Sequence, residues 1–278
     1  MINIDDLGFF ETDNIGLSYK SSDDLGIIYT SGTTGEPKGL VFDNTSSLHS
    51  FGVHATMGLD ASMRLISIYH FSYGNGVLGP FKAWLLGGSY HPINLPKAGI
   101  REMINRIKQE KITVYQSPPS LFRNIVKQIK PGELPTLRWI HLGGEPVVAH
   151  DLDLFKEKFD PPCKIFNNYG SSEIGSMARN IMDHSTVLTN DIVPLGYKTE
   201  RMTLIIVDDD GKEVEPGQIG ELVVQSRYLK SKYWKNKKLT EEKFQEIAGT
   251  EEKMMYTGDL VYQQSDGRYV FAGRKDSL

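Results

Sequence analysis

The residues best suited to chemistry lie in one run at positions 29–39, Tyr-Thr-Ser-Gly-Thr-Thr-Gly-Glu-Pro-Lys-Gly. The run follows a short apolar segment at 25–29 that predicts a strand. Glycines let a backbone bend tightly and point N–H groups at one ligand, hydroxyl side chains add donors, and Lys38 adds a positive charge. This combination indicates a phosphate-binding loop. Its glycines are too closely spaced for the usual Gly-x-x-x-x-Gly-Lys-Ser/Thr loop, so it is a phosphate loop of another kind.

Four later motifs combine glycine with polar or aromatic residues. They are Leu-Gly-Gly-Glu-Pro at 142–146, Asn-Tyr-Gly-Ser-Ser-Glu at 168–173, Tyr-Thr-Gly-Asp at 256–259 and Gly-Arg-Lys-Asp at 273–276. The first three have plain structural alternatives, which are a strand-to-helix turn, a strand end with a surface glutamate and an Asx turn, in that order. Their order along the chain favours a functional interpretation.

Taken in order, the five motifs resemble the adenylate-forming superfamily of acyl-CoA synthetases, luciferases and adenylation domains of nonribosomal peptide synthetases. A weaker match to peptide-synthetase adenylation domains consists of Gly-Glu-Leu at 220–222, Tyr-Trp-Lys-Asn at 233–236 and Leu-Thr at 239–240. Lys232 stands where that pattern has glycine. The resemblance covers nearly the whole chain. It implies that ATP, with Mg²⁺, activates a carboxylic acid to an acyl-adenylate and releases pyrophosphate. The acyl group would then pass to the thiol of a carrier-protein phosphopantetheine or of CoA.

The resemblance also implies roles for single residues. Lys38 would hold the outer phosphates, Ser172 would contact the α-phosphate and Glu173 would bind Mg²⁺, and these three are the expected catalytic residues. In the same comparison, Tyr169 would stack on adenine, Asp259 would bind the ribose, Arg274 would contact ribose or phosphate, and Asp276 would act as a hinge. The predicted nucleotide-binding positions are Thr30, Ser31, Gly32, Thr33, Thr34, Gly35, Lys38, Gly143, Gly144, Glu145, Asn168, Tyr169, Gly170, Ser171, Ser172, Asp259 and Arg274.

A second set of positions matches the acid pocket of the family. These are His70, Phe71, Gly74, His141, Gly143, Asn168, Ser176 and Met177. Domains that activate α-amino acids usually carry an aspartate that pairs with the amine, and His70 stands in its place. Because a histidine would anchor an ammonium poorly, we expect an acid without a free α-amino group, such as an aryl, hydroxy, keto or fatty acid. Two alternatives remain open: His70 only closes the pocket wall, or an amine is anchored elsewhere, through Asn168 and main-chain carbonyls.

Composition narrows the class of protein. The chain has 278 residues, of which 39% are hydrophobic and 24% charged, and its net charge is −4. This is ordinary globular composition and gives no support to a nucleic-acid binder. The Lys-rich stretch at 230–238 predicts a solvated loop. The N-terminus lacks the features of a secretory signal, and no apolar run is long enough to span a membrane, so we expect a cytoplasmic protein without membrane partners. Cys163, as a single cysteine, fits a reducing cytosol and predicts a small buried side chain.

Hydrophobic patterning predicts an α/β fold. Strands and helices alternate over 1–190, which favours a parallel-rich sheet layered with helices. Residues 191–272 predict a smaller, mostly antiparallel β subdomain, and 273–278 a hinge. Predicted strands lie at 25–29, 64–68, 112–115, 137–142, 164–168, 202–207, 220–225, 255–262 and 268–272, and predicted helices at 44–58, capped by Asn44 or Thr45, and at 77–86, 100–110, 118–130, 147–159 and 240–247.

The chain departs from the family pattern at both ends. Only 28 residues precede the glycine-rich run, and the chain stops two residues after Asp276. We therefore expect a core fragment without the small C-terminal domain of the family, whose lysine contacts the acid and phosphate. The alternatives are a non-catalytic AMP- or ATP-binding module, or an interaction domain with degenerate motifs. The intact motif residues Lys38, Tyr169 and Glu173, together with Asp259, argue against the last of these.

Overall fold

A computed structural model of the protein describes residues 18, 20, 23–31, 37–55, 59–71, 73–188, 191–229 and 232–277. The described strands are β1 (Asp24–Ser31), β2 (Pro37–Asp43), β3 (Arg64–Ser67), β4 (Ser89–Pro92), β5 (Val114–Ser117), β6 (Trp139–Gly143), β7 (Lys164–Ser171), β8 (Gly175–Met182), β9 (Tyr197–Lys198), β10 (Thr203–Val207), β11 (Gly220–Ser226), β12 (Lys232–Tyr233), β13 (Gln245–Glu246), β14 (Lys253–Gln263) and β15 (Tyr269–Arg274). The helices are α1 (Asn44–Ala55), α2 (Gly74–Leu85), α3 (Leu95–Gln109), α4 (Pro119–Val126), α5 (Ala149–Lys158) and α6 (Lys237–Lys243), and a 3₁₀ turn spans Lys275–Ser277.

The largest sheet has seven strands in the order β4-β3-β5-β6-β7-β8-β9. Its first five strands are parallel, and β8 and β9 are antiparallel to their neighbours. The predicted apolar face of α3 is buried in the core against this sheet, because Met103, Ile104 and Ile107 recur at helical spacing. Phe122 of α4 and Phe155 of α5 are buried in the same core. The predicted α/β architecture with a parallel-rich sheet is therefore confirmed.

The first strand was wrongly expected to belong to the alternating parallel pattern. It lies instead in a three-stranded antiparallel sheet, in the order β1-β2-β12. The strand β2, which the sequence analysis missed, follows the glycine-rich run and pairs with β1 so that Thr30 lies opposite Lys38. The run therefore joins two antiparallel strands. Its residues 32–36 lie outside the described part of the chain.

A third sheet is antiparallel, with the order β10-β11-β14-β13 and with β15 paired to β14. A second hydrophobic core joins this sheet to the rest of the molecule. It contains Leu40 of β2 and Leu78 of α2 together with Leu222 and Val261 of the third sheet. This core draws residues from both sides of the boundary predicted near residue 190, and the division into subdomains stays a prediction.

Several predicted boundaries are wrong for identifiable reasons. The side chain of Asp43, not Asn44 or Thr45, caps α1, because its Oδ1 accepts a hydrogen bond from the Ser46 N–H at 2.7 Å. Likewise, Asn236 accepts from the Leu239 N–H at 3.0 Å, so α6 begins three residues before the predicted 240 and ends before β13.

Two further helices also differ from their predicted bounds. Helix α3 includes an additional turn from Leu95, which Asn94 caps by accepting a hydrogen bond from the Lys97 N–H at 3.3 Å. Gly99, with a left-handed φ of 81°, separates this turn from the helix predicted to begin at residue 100. Helix α4 ends at Val126, four residues before the predicted end. Among the described residues, no helix combines the length and apolar character that crossing a membrane requires.

Candidate functional site

Two cavities meet at the carboxyl end of strand β7. The larger has a volume of about 580 Å³ and the smaller of about 330 Å³. Both are lined by Gly144, Asn168 and Gly170. In a parallel sheet, loops at the carboxyl ends of strands form the usual ligand crevice. The two cavities lie side by side in this crevice and share these three lining residues.

A partly buried hydrogen-bond network lies at the smaller cavity, which Tyr169 and Asp259 line. The Tyr169 hydroxyl donates to Oδ2 of Asp259, and Arg274 Nη1 donates to Oδ1 of the same carboxylate at 2.7 Å. Arg274 also donates to the Thr257 carbonyl at 3.1 Å and forms a two-point ion pair with Asp276. The structure thus brings together three residues that the sequence analysis singled out in separate motifs, and it connects the predicted hinge residue to them.

Ionisation in this network is controlled by burial and by the carboxylates. The pKa of Tyr169 is raised well above its ordinary value, mainly by burial and to a smaller extent by the charge of Asp259. The pKa of the Arg274 guanidinium is raised by its hydrogen bond to Asp276, the larger cause, and by its hydrogen bond to Asp259. Tyr169 therefore stays a neutral donor and Arg274 a cation at physiological pH. The carboxylate of Asp259 is held by both groups at one edge of the smaller cavity.

The Gly143-Gly144-Glu145 turn contributes Gly144 to both cavities and Glu145 to the smaller one. Gly144 has a φ of 83°, a left-handed conformation that favours glycine. A Cβ added at Gly144 would have the Tyr69 hydroxyl, at 3.9 Å, as its nearest contact outside the adjacent residues. This leaves bare backbone of Gly144 facing both cavities. Glu145 accepts from the N–H and the hydroxyl of Ser120, both at 2.9 Å, which anchors the turn to the start of α4.

The 168–173 motif forms the wall shared by the cavities. Gly170 must be glycine, because a Cβ at this position would lie 2.1 Å from the Gly175 carbonyl of strand β8. Asn168 Oδ1 accepts from the Ser176 hydroxyl, and both residues line the larger cavity. Ser171 and Ser172 line it as well. The predicted phosphate-contacting hydroxyl of Ser172 therefore lies next to the shared wall.

Glu173, the predicted Mg²⁺ ligand, contacts a residue from a different sheet. Its Oε1 accepts a hydrogen bond from the Tyr233 hydroxyl at 3.0 Å. Tyr233 lies on β12 opposite Leu40 of β2, the strand that also carries Lys38. The pKa of Tyr233 is raised, mainly by burial and to a smaller extent by the charge of Glu173. Its hydroxyl therefore stays protonated and remains a donor. Tyr233 thus connects the predicted metal ligand to the strand with the predicted phosphate-binding lysine.

Lys38 and Thr30 lie at the loop end of the β1–β2 hairpin. Side chains two residues apart on a strand share a face, so Lys38 lies on the same face as Phe42, and Thr30 on the same face as Ile28. Both Phe42 and Ile28 line the larger cavity. Lys38 therefore lies on the face of the hairpin that is turned to the cavity. Gly32, Thr33, Thr34 and Gly35, and the side chain of Ser31, are outside the described part.

Half of the residues predicted for the acid pocket line the larger cavity. His70, Gly74, Asn168 and Ser176 are among its described lining residues. The other four are Phe71, His141, Gly143 and Met177, and they are not among these residues. Phe71 is exposed near Tyr90, His141 packs edge-on against Phe166, Gly143 accepts a hydrogen bond from Tyr69, and Met177 is buried in the second core.

Three residues at the site were missed by the sequence analysis. Tyr69 lines the larger cavity and donates to the Gly143 carbonyl at 2.8 Å, and burial raises its pKa. Tyr233 was noted in a motif but received no role. Lys82 lines the larger cavity and is buried. Its spacing of four and eight residues from Leu78 and Gly74 is a helical signal that could have placed it on the same face.

Comparison with known proteins decides the family. The family model described as AMP-binding enzyme matches residues 14–234. The chain belongs to the AMP-binding enzyme family. This member is 30% identical over 260 residues to Surfactin synthase subunit 2 of Bacillus subtilis, covering 90% of the chain and 7% of that protein. It is 29% identical over 262 residues to the D-alanine--D-alanyl carrier protein ligase of Lactiplantibacillus plantarum, covering 91% of the chain and 51% of the ligase.

A solved structure shows the same fold. The O-succinylbenzoate Coenzyme A Synthetase of Bacillus subtilis, solved in complex with ATP and magnesium ion, superposes with a TM-score of 0.79 at 21% identity. The superposition covers 93% of this chain and 52% of the synthetase. This AMP-binding family member therefore spans about half the length of the synthetase and of the carrier protein ligase. The expected membership in the adenylate-forming superfamily is confirmed.

Proposed function

We propose that this chain takes part in ATP-dependent activation of a carboxylic acid, in which the acid attacks the α-phosphorus of ATP to give an acyl-adenylate and pyrophosphate. The observation that carries the proposal is the meeting of two cavities at Gly144, Asn168 and Gly170. An acyl-adenylate has a nucleoside part and an acyl part joined at one phosphate. The arrangement of the cavities fits such a molecule, with the phosphate at the shared wall.

The smaller cavity suits the nucleoside. Asp259 can accept hydrogen bonds from both hydroxyls of a ribose, and Tyr169 and Arg274 hold its carboxylate in place. The bare backbone of Gly144 provides a flat surface for a base. Apolar side chains that line the same cavity, including Val148 and Ile192, suit the faces of an aromatic ring. These features support adenosine as the ligand of the smaller cavity.

Phosphate and metal would be held by Ser172, Lys38 and Glu173. Ser172 supplies a hydroxyl, Lys38 a cation and Glu173 a carboxylate. Within the described ranges, no three or more His, Cys, Asp and Glu side chains are grouped closely enough to hold a metal ion alone. A magnesium ion at Glu173 would thus take its other ligands from phosphate oxygens and water, the usual pattern for this ion. Catalysis would come from positioning and from neutralising phosphate charge.

The larger cavity suits the acid. None of the described residues that line it is an aspartate or a glutamate. His70 lines it where an amine-pairing aspartate was expected in domains that activate amino acids. A buried ammonium would thus lack a carboxylate partner on the described wall, which is costly. We propose an acid without a free α-amino group, although the name of the carrier protein ligase gives its substrate as D-alanine.

The names of the relatives support a thiol as the acyl acceptor. One is a carrier protein ligase and the fold neighbour is a Coenzyme A synthetase. We propose that the acyl group passes to a carrier-protein phosphopantetheine or to CoA.

The test is acid-dependent exchange of labelled pyrophosphate into ATP, screened over amino, hydroxy, keto, aryl and fatty acids, with D-alanine included. Titration calorimetry with AMP and with ATP·Mg²⁺ runs in parallel. The rival function is that of a non-catalytic nucleotide-binding module. In that case calorimetry would show saturable heats of nucleotide binding, and no acid would support pyrophosphate exchange. Absence of nucleotide binding at millimolar concentration would contradict both functions. Fastest exchange with an amino acid, lost when its amine is removed, would contradict the proposed substrate class.

A further inference from the structure

Asp259 lies in a bulge of strand β14. The pairing register between β11 and β14 shifts between Glu221 and Val223 of β11, and residues 257–259 of β14 form the bulge opposite them. Gly258, next to Asp259, has a left-handed φ of 74°. A bulge changes the direction of its side chains, and here the carboxylate of Asp259 is directed to the Tyr169 hydroxyl. The shape of the bulge therefore sets the position of Asp259.

Side chains supply hydrogen-bond partners to the backbone of the bulge. A bulge removes backbone N–H groups from the strand ladder, so they need other acceptors. The Gly258 N–H donates to Oε1 of Glu221 at 3.1 Å. The Asp259 N–H donates to the Thr257 hydroxyl at 3.1 Å, and this hydroxyl donates to the Leu222 carbonyl at 2.8 Å. Glu221 is thus a charged acceptor for the residue that precedes Asp259.

The carboxylate of Glu221 is itself held in place. Its side chain is only 12% exposed, and Oε2 pairs with Nζ of Lys275 at 3.0 Å. Lys275 also pairs with Oδ1 of Asp209 at 3.1 Å. One oxygen of Glu221 therefore contacts the bulge, and the other contacts the turn that follows β15. A hydrogen bond to an ionised carboxylate is stronger than one between neutral groups, so Glu221 is suited to fix the bulge.

Glu221 is not in contact with the proposed ligand sites. It is not among the described residues that line the larger or the smaller cavity. Arg274 also holds the bulge, since Nη1 donates to the Thr257 carbonyl at 3.1 Å, but it contacts the Asp259 carboxylate as well. An effect of Glu221 on a ligand at Asp259 must therefore pass through the backbone of residues 257–259.

We propose that Glu221 is a positioning residue, which holds the 257–259 bulge in the shape that directs the Asp259 carboxylate to the ribose of the nucleotide. This inference rests on the proposed function, since that function places the ribose at Asp259. It gives a role to the Gly-Glu-Leu motif at 220–222, to which the sequence analysis assigned none. Without the Glu221 carboxylate, the Gly258 N–H loses its acceptor and the bulge no longer holds Asp259 in place.

Ligand-observed NMR titrations with AMP and with its dideoxy analogue, which lacks both ribose hydroxyls, test the inference. The unmodified chain should prefer AMP by about ten- to hundred-fold, because only AMP can make the charge-assisted contact with Asp259. Glu221→Ala should lower this preference by about ten-fold through weaker AMP binding, and binding of the analogue should stay unchanged. A merely structural role would weaken both ligands alike. Glu215→Ala, which removes an exposed glutamate ahead of β11, is the matched control and should keep the full preference.

The outcomes separate the two proposals. If Glu221→Ala is folded, as thermal unfolding would show, and keeps the preference for AMP, the role of Glu221 is wrong and the adenylation function stands. Equal losses for AMP and the analogue also overturn the inference. If Glu221→Ala does not fold, Glu221→Asp decides, because its carboxylate is one methylene shorter and should give the same selective loss; a retained preference would overturn the inference.

Two results on the unmodified chain are also decisive. If AMP and its dideoxy analogue bind equally, Asp259 does not contact the ribose and the inference is wrong, while pyrophosphate exchange still tests the adenylation function. If neither ligand binds, the proposed function fails first and the inference fails with it.

Discussion

The Tyr169 hydroxyl donates a hydrogen bond to the carboxylate of Asp259, a residue 90 positions later in the sequence. Tyr169 lies on β7 of the seven-stranded sheet, and Asp259 on β14 of the antiparallel sheet. The same carboxylate accepts from Arg274 of β15, which lies opposite it in the strand pairing. Its two oxygens are thus oriented before any ligand arrives. A preorganised carboxylate of this kind can bind a diol with little loss of side-chain entropy.

Replacing Asp259 with Asn should weaken AMP and ATP equally. The proposed ribose contact is common to both nucleotides, and a lost charge-assisted contact costs about ten- to hundred-fold in affinity. Titration calorimetry with each nucleotide measures the change. Asp153→Asn, an exposed carboxylate on α5, is the control and should bind like the unmodified chain. A loss confined to ATP would show that Asp259 does not contact the ribose.

Lys38→Met should weaken ATP·Mg²⁺ much more than AMP. Lys38 lies on the cavity face of the β1–β2 hairpin, where it can reach the outer phosphates that AMP lacks. The expected loss for ATP is roughly ten- to hundred-fold, while AMP binding stays nearly constant. Lys97→Met serves as the control for loss of one positive charge. Equal losses for both nucleotides would refute the assignment of Lys38 to the outer phosphates.

Tyr233→Phe should raise the magnesium concentration needed for tight ATP binding and leave AMP binding unchanged. The hydroxyl donates to Glu173 at 3.0 Å, so its removal frees the carboxylate to turn away from the proposed metal position. The lost hydrogen bond should also cost about 1 kcal/mol of unfolding free energy. ATP titrations over a magnesium series give the first quantity and urea unfolding the second. Tyr197→Phe, on an exposed tyrosine, is the control. An unchanged magnesium dependence would rule out a positioning role for Tyr233.

Cys163 should react slowly with iodoacetamide in the native protein and quickly in urea. It is buried, and burial raises the pKa of its thiol to about 12. The pKa of the Cys163 thiol is therefore higher in the folded protein than its ordinary value near 9. The neutral thiol stabilises the folded state at pH values below about 9, and this contribution to stability is lost as the pH rises through about 12. Mass spectrometry of the alkylated fraction over time, at mildly alkaline pH, measures both rates. Equal rates in native and unfolded protein would contradict the burial of Cys163.

The sequence predicted the parts of the site that lie within short motifs. Separate glycine-containing motifs identified Tyr169, Asp259 and Arg274 as candidate site residues. The structure brings the three side chains together. The strand–helix alternation predicted the parallel-rich sheet, because hydrophobic periodicity is a local property. The hairpin of β1 and β2 was missed, because strand pairing depends on the partner and not on the strand alone.

Contacts between distant elements could not be predicted. Tyr233 reaches Glu173 across 60 residues, and nothing in either local pattern connects them. Lys82 follows Phe81 on a helix with a mixed apolar pattern, and a lysine in such a position is ordinarily expected to face water. Its burial becomes visible only once α2 is packed beside the larger cavity.

The most direct test of the central claim is the binding of acyl-sulfamoyl adenosines, stable analogues of an acyl-adenylate, compared with AMP on this chain. The analogues should carry acyl groups from the classes screened by exchange. If one molecule fills both cavities across Gly144, Asn168 and Gly170, at least one analogue should bind ten-fold or more tightly than AMP, and Asp259→Asn should weaken both. If AMP binds and no analogue binds more tightly than AMP, the larger cavity is not the acyl site and the account is wrong.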